Sequence, residues 1–276
     1  MPTRQPSRHV AEAFDAYVLD LDGTVCLGDE LLPGVAELID ALGRSRRPYA
    51  FSTNNPTRSR ADYAAALRRL GVPAIADQVV TSGSLTAAWI RRHRPGARCF
   101  VVGEPPLLEE LASAGVELTD DPASTTLVVS SFDRTLTYAK LQTAFDSLRG
   151  RPETGFIATH PDAFRPLPSG RGQPDAAAVT AAIEACTGRR CQAVIGKPSA
   201  AMMTTACDQL GVAPDRAIMV GDRLRTDIAA GIAAGTRTGL VLTGETSLAD
   251  VADCPEALLP DYILQRIDLL AEPLLR

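Results

Sequence analysis

Two rhythms alternate along this chain. Short continuous apolar runs are followed by stretches in which apolar residues return every third or fourth position. Tyr17-Val18-Leu19 is the first run and reads as a strand. Val35, Leu38, Ile39 and Leu42 then fall at helical spacing after Pro33-Gly34, with Gly43 placed to cap the helix. Tyr49 to Ser52 reads as the next strand. Ser59-x-x-Asp62 resembles a capping box opening a helix that Gly71 ends. Gln78 to Val80 and Ser84 to Arg92 repeat the pair. This rhythm predicts an α/β fold, with a parallel sheet covered by helices on both faces.

A second set of elements follows Pro95. Cys99 to Val102, Thr126 to Val129 and Gly155 to Ala158 read as strands. Leu141, Ala144, Phe145 and Leu148 make a helical stripe, as do Val179, Ala182, Ile183 and Cys186. His160 to Pro174 has no period and is rich in proline, glycine and arginine, so a long functional loop is expected there. The first rhythm resumes with strands at Ala193 to Ile195, Ala217 to Val220 and Gly239 to Leu242. We therefore expect a discontinuous α/β core, residues 1–95 plus 190–276, with a second α/β domain inserted at 96–189.

Composition narrows the partners. The chain of 276 residues is 45% hydrophobic and 22% charged, within the range of a globular protein with a sizeable core. A net charge of −5 gives no reason to expect a nucleic acid polymer or an anionic membrane. No stretch approaches the ~18 apolar residues of a membrane span. Residues 1–14 show no apolar leader core, so a cytoplasmic location is expected. The cysteines are scattered, and Cys186 and Cys191 lack metal-ligand spacing, so reduced structural thiols are expected. Cys26 is read as a packing residue.

Polar clusters sit just past several of the apolar runs. Asp20 ends the first strand and Thr53 the second, while Lys197 and Asp222 follow later strands. In open α/β sheets, sites form beyond the carboxyl ends of strands. The residue types suit phosphate ester hydrolysis. Asp20 and Asp222, with the backbone carbonyl of Asp22, offer the oxygen ligands that Mg²⁺ prefers. Asp227 would orient metal-bound water. Lys197 would hold both Asp20 and the phosphate, and Thr53 with the backbone N–H groups near Leu21, Asp22 and Asn54 would bind the remaining phosphate oxygens. Asp20 would attack phosphorus to form an aspartyl phosphate. Asp22 would protonate the leaving oxygen and then deprotonate the hydrolytic water.

This set resembles the haloacid dehalogenase superfamily of phosphatases, and within it the NagD-like group, which includes p-nitrophenyl phosphatases. The resemblance rests on Asp20-Leu-Asp-Gly-Thr24, Phe51-Ser-Thr-Asn-Asn55, Gly196-Lys-Pro198 and Gly221-Asp-Arg-Leu-Arg-Thr-Asp227 in that order. Ser131-Phe-Asp-Arg134, Ala158-Thr-His-Pro-Asp162 and Val241-Leu-Thr-Gly244 add to it. It implies a Rossmann-like doubly wound core, an inserted α/β cap, Mg²⁺, and a small phosphorylated metabolite as substrate. Sugar phosphates, pyridoxal phosphate, phosphoglycolate, glycerol phosphate and nucleotides are all in its range. Caps in relatives can mediate dimers, which admits a homodimer. The chain departs from the group's pattern at His160, where asparagine is common, and at Pro174-Asp-Ala-Ala177, where Pro-Gly-x-Gly is common. His160, Asp162 and Arg165 are the candidates for substrate specificity, with a solvated loop face as the alternative. Asp133 and Arg134 are expected to pair and stabilise the cap. A phosphotransferase or mutase on the same scaffold is an alternative function, as is a metabolite-binding regulator with a residual site.

Overall fold

The run Ala16-Tyr-Val-Leu-Asp20 forms a strand with all five residues buried. Such a strand needs neighbours on both edges and cover on both faces. In the computed structural model, which describes residues 6–10, 13–167 and 171–274, it has both. It pairs in parallel with Ala217–Gly221 on one side and with Tyr49–Thr53 on the other. The full sheet has six strands, with Arg237–Val241 and Tyr262–Leu264 extending one side and Val79–Thr81 the other. One sheet face carries Tyr17, Leu19, Phe51, Ile218 and Val220, packed with Val35, Leu38, Ile39 and Leu42 of helix Val35–Ser45. Ala16 and Ala217 face the other way, against Cys207 of helix Ala201–Leu210. A fully buried aliphatic side chain in such a layer contributes about 1.5–3 kcal/mol. The first helix runs past Gly43 and is capped by Arg46 in the left-handed conformation (φ 55°), so the expected cap at Gly43 is corrected.

These strands belong to a compact unit made of the chain up to Thr53, Arg60–Val80, and the chain from Lys197 onward. A second unit comprises Asn54–Ser59 and Thr81–Gly196. Helix Ser82–His93, which the sequence rhythm places in the first group, is thus part of the second, where it packs with helix Pro105–Ser113. The second unit has its own parallel sheet of five strands in the order Ala193–Val194, Gly155–Ala158, Leu127–Ser130, Arg98–Val102, Glu117–Leu118. Its core joins Phe100, Val128 and Phe156 to Ala144 and Leu148 of helix Tyr138–Leu148 and to Val179 and Ile183 of helix Ala176–Thr187.

The stretch expected to be a long loop contains a two-stranded antiparallel ribbon. Phe164–Leu167 pairs with Arg171–Pro174, in register Phe164↔Pro174 to Leu167↔Arg171. Residues 168–170 of that stretch lie outside the described residues. No period marks the ribbon because neither of its strands is buried, and its prolines are tolerated because both strands are edges. Asp133 and Arg134 each bond a partner elsewhere in the second unit. Lys140 Nζ lies 2.5 Å from Asp133 Oδ2, and the Arg134 guanidinium donates two bonds to Glu104, at 2.7 and 2.6 Å. The fork geometry of a guanidinium suits the bidentate grip, and the ammonium suits the single buried oxygen. No helix among the described residues is long and apolar enough to cross a membrane.

Candidate active site

Strand order reverses around Ala16–Asp20, since the chain passes to Tyr49–Thr53 on one flank and Ala217–Gly221 on the other. A reversal of this kind opens a crevice at the carboxyl ends of the strands. Asp20 ends the central strand and lies in register with Ser52, next to Thr53. Asp222 follows the strand on the opposite flank. All four of Asp20, Thr53, Lys197 and Asp222 are buried.

Lys197 is at the centre. Its Nζ lies 2.5 Å from Asp20 Oδ1 and 2.6 Å from Asp227 Oδ1, with the Ser52 carbonyl at 3.5 Å. Asp227 reaches it from a π-helical turn, Leu224–Ile228, a form common at functional sites. The backbone N–H of Arg223 donates to Asp227 Oδ2 at 3.0 Å. Asp227 is therefore tied into the turn by its own side chain. Gly221 allows this fold-back, because a Cβ there would lie 2.3 Å from that of Asp227.

Asp222 completes the group. One carboxylate oxygen from each of Asp20, Asp222 and Asp227 falls within 4.8 Å of the others. Asp222 Oδ2 accepts a 2.7 Å bond from the Glu245 backbone, while its Oδ1 is buried and has no hydrogen-bond partner. Two of the three buried carboxylates thus share one lysine, and the third lies beside them. Burial pushes the Asp20 carboxyl well above the ordinary range; Lys197 opposes that, and the charges of Asp227 and Asp222 add to it. Burial and the Asp227 charge push Asp222 up to about 7. Burial disfavours the Lys197 charge, but Asp20 and Asp227 override it and hold the ammonium above its usual range. The cluster is short of positive charge, and an unpartnered buried oxygen faces that deficit. Both features fit a divalent cation, which would return the carboxyls to their anionic form.

Asp22 is half-buried, one turn beyond Asp20 and outside the three-carboxylate cluster. The Leu21 carbonyl accepts from the N–H groups of Thr24, Val25 and Cys26, closing that turn. Asn54 begins the second unit, where its Nδ2 donates to Asp162 Oδ1 at 3.3 Å and Ser82 Oγ donates to its carbonyl.

His160 has no exposed surface, so the structure places it in the interior of the second unit rather than on a solvated loop face. Its Nε2 donates to Asp175 Oδ1 at 2.8 Å, and Thr159 Oγ1 lies 2.8 Å from Nδ1. Thr159 Oγ1 is in turn 2.7 Å from Ser131 Oγ, and Asp175 caps helix Ala176–Thr187. His160 and Asp175, one from each stretch in which the chain departs from its group's pattern, are thus a buried pair. Ligand atoms of His160, Asp162 and Asp175 also lie within 4.8 Å of one another, although the first and last already bond each other. Arg165 is half-buried on the ribbon.

Sequence reasoning missed the groups that hold Asp222. They come from the loop Thr243 to Thr246, which Val241-Leu-Thr-Gly244 marked only as a family echo.

The comparisons with known proteins agree with this geometry. The family described as haloacid dehalogenase-like hydrolase matches residues 17–117, and a related HAD-hydrolase-like family matches residues 194–270. The chain belongs to the haloacid dehalogenase-like hydrolases and, among them, to the NagD-like phosphatases. It is 34% identical to the sugar-phosphatase AraL of Bacillus subtilis, over 91% of this chain and 89% of that protein. Human chronophin is 34% identical over 97% of this chain and 95% of its own. The crystal structure of a 4-nitrophenylphosphatase from Thermotoga maritima superposes with a TM-score of 0.87 at 38% identity, covering 96% of this chain and 99% of that one.

Proposed function

We propose that this protein is a Mg²⁺-dependent phosphatase that hydrolyses a small phosphomonoester, of the sugar phosphate type first, through an aspartyl phosphate on Asp20. The observation that carries the reading is Lys197 joining Asp20 to Asp227 beside the unpartnered Oδ1 of Asp222. The sugar-phosphatase relative supports the substrate class.

The metal, held by Asp20, Asp222 and the Asp22 carbonyl with Asp227 behind them, would screen the charge of the phosphoryl group and of its attacker. The protein's own groups do the rest. Lys197 fixes Asp20 Oδ1, which leaves Oδ2 to attack phosphorus in line with the leaving oxygen. The P–O bond to the substrate breaks as Asp22 gives its proton to the departing alkoxide. Asp22, now a base, takes a proton from water. That water attacks the aspartyl phosphate, inorganic phosphate leaves, and Asp20 is regenerated as a carboxylate. Asp22 suits the shuttle because it is half-buried and stands apart from the three clustered acids. Thr53 would bind a phosphate oxygen beside Asp20, with the N–H groups of Leu21, Asp22 and Asn54.

The second unit is read as the cap that selects the substrate, with Asp162 and Arg165 as its contact candidates. His160 supports them from the interior. The test is hydrolysis of p-nitrophenyl phosphate and a panel of sugar phosphates with and without Mg²⁺. Asp20→Asn should keep the fold by circular dichroism and lose turnover; full activity in that variant removes the covalent step.

A further inference from the structure

Asp222 is gripped from several directions. The Glu245 N–H takes Oδ2, and the N–H of Thr246 donates to the Asp222 carbonyl at 3.3 Å. Two glycines wall the carboxylate. A Cβ on Gly244 would lie 2.0 Å from Oδ2, and one on Gly23 (φ +97°) 2.5 Å from the same atom. The two walls are joined, because Thr243 Oγ1 donates to the Gly23 carbonyl at 2.9 Å. Oδ2 is thus enclosed and already accepts a hydrogen bond, while Oδ1 is left without a partner.

We propose that Thr243, Gly244 and the Glu245 N–H, closed against Gly23, form a clamp that restricts Asp222 to one-oxygen metal coordination and so makes the site prefer Mg²⁺ to Ca²⁺. The proposal rests on the divalent-metal reading given above. Mg²⁺ takes six oxygens in near-ideal octahedral geometry, for which single-oxygen carboxylates suffice. Ca²⁺ takes six to eight and readily uses both oxygens of one carboxylate. Enclosing Oδ2 withholds the second oxygen. The clamp residues are positioning residues that act through Asp222.

The test is titration of the EDTA-stripped protein with Mg²⁺ or Ca²⁺ alone, without substrate, read as the metal-dependent rise in melting temperature. Gly244→Ala forces a Cβ into the Asp222 carboxylate. Thr243→Val keeps the shape of the side chain and removes the tie to Gly23. Each should weaken Mg²⁺ binding by about 10-fold or more, the scale of supporting-residue effects at metal sites. Ca²⁺ binding should change less, so the preference for Mg²⁺ narrows. Gly239→Ala is the control, since its Cβ would meet nothing nearer than Ile218 Cδ1 at 3.4 Å. It should leave both affinities unchanged. Unaltered Mg²⁺-to-Ca²⁺ ratios in both variants overturn the clamp while the metal reading stands. Should Gly244→Ala fail to fold, Thr243→Val decides by itself. A wild-type protein that responds to neither ion removes the metal reading and the clamp with it.

Discussion

Replacing Lys197 by methionine removes one positive charge from a place where nothing else can take its role. Methionine is unbranched and fills nearly the same volume, so packing is preserved and the loss is electrostatic. Lys197 is 2% exposed, Asp20 7%, and Asp222 and Asp227 1% each, so solvent does little to screen what remains. Removing one partner of a buried ion pair costs about 3–5 kcal/mol, because the other is left as an uncompensated buried charge. Here one lysine is shared by two direct partners, at 2.5 and 2.6 Å, which places the loss toward the upper end. At roughly 2–4 °C per kcal/mol for a chain of this size, the melting temperature should fall by about 6–20 °C at pH 8 in EDTA. The sign with pH follows from the acids. The carboxyls escape their predicament by taking up protons, and burial makes Asp20 and Asp222 do so above the ordinary carboxylate range, so the deficit should shrink as pH falls from 8 to 5. Mg²⁺ should restore part of the stability. It should not restore turnover, because the oxygen that Lys197 anchors would no longer be fixed. A loss of about 10³-fold in kcat corresponds to about 4 kcal/mol of transition-state stabilisation. Differential scanning fluorimetry at pH 5 and pH 8, with and without Mg²⁺, reads the first part, and steady-state kinetics the second. A variant as stable as wild type at pH 8 in EDTA would refute the charge argument.

Two further outcomes follow from the second unit. The Arg134 guanidinium, by its hydrogen bonds, holds Glu104 below its ordinary 4.5, and burial only partly offsets this. A lowered acid contributes stability above its unfolded pKa and loses it as pH falls through the folded one. The stability gap between wild type and Glu104→Gln should therefore be present at pH 7 and close below about pH 4, as read by urea melts across pH; a gap that persists there contradicts the assignment. His160→Ala leaves a cavity and strips one partner each from Asp175 and Thr159, so a loss of about 2–4 kcal/mol is expected from urea denaturation. A neutral substitution would contradict its structural placement.

Much of this architecture can be read from the residues because it is written locally. Tyr17 to Leu19, Tyr49 to Ser52 and Ala217 to Val220 are apolar runs that stop at a polar residue. That one pattern locates both the strands and the acids and hydroxyls beyond them. Other features are set by partners far along the chain and leave little local trace. The ribbon Phe164–Leu167 with Arg171–Pro174 buries no face, so it has no alternation to detect. Glu117–Leu118 is a strand of two residues, too short for a period. Pro105 and Pro106 open a helix in its first turn, where the missing N–H groups cost nothing. The pairing of Arg134 with Glu104 spans 30 positions, and no spacing rule links the two. The enclosure of Asp222 by Gly23 and Gly244 depends on contacts that only three dimensions supply. The composition of the site was legible; its wiring was not.

Trapping the covalent intermediate tests the central claim most directly. Asp22→Asn removes the group that activates water while leaving Asp20 and Lys197 in place, and p-nitrophenolate departs without needing the proton Asp22 gives an alkoxide, so phosphorylation should outrun hydrolysis. Acid quench of that variant with Mg²⁺ and p-nitrophenyl phosphate, followed by mass spectrometry, should show one phosphoryl group, located on the peptide containing Asp20. A chain that carries no phosphoryl group, or carries it on a peptide without Asp20, contradicts the account.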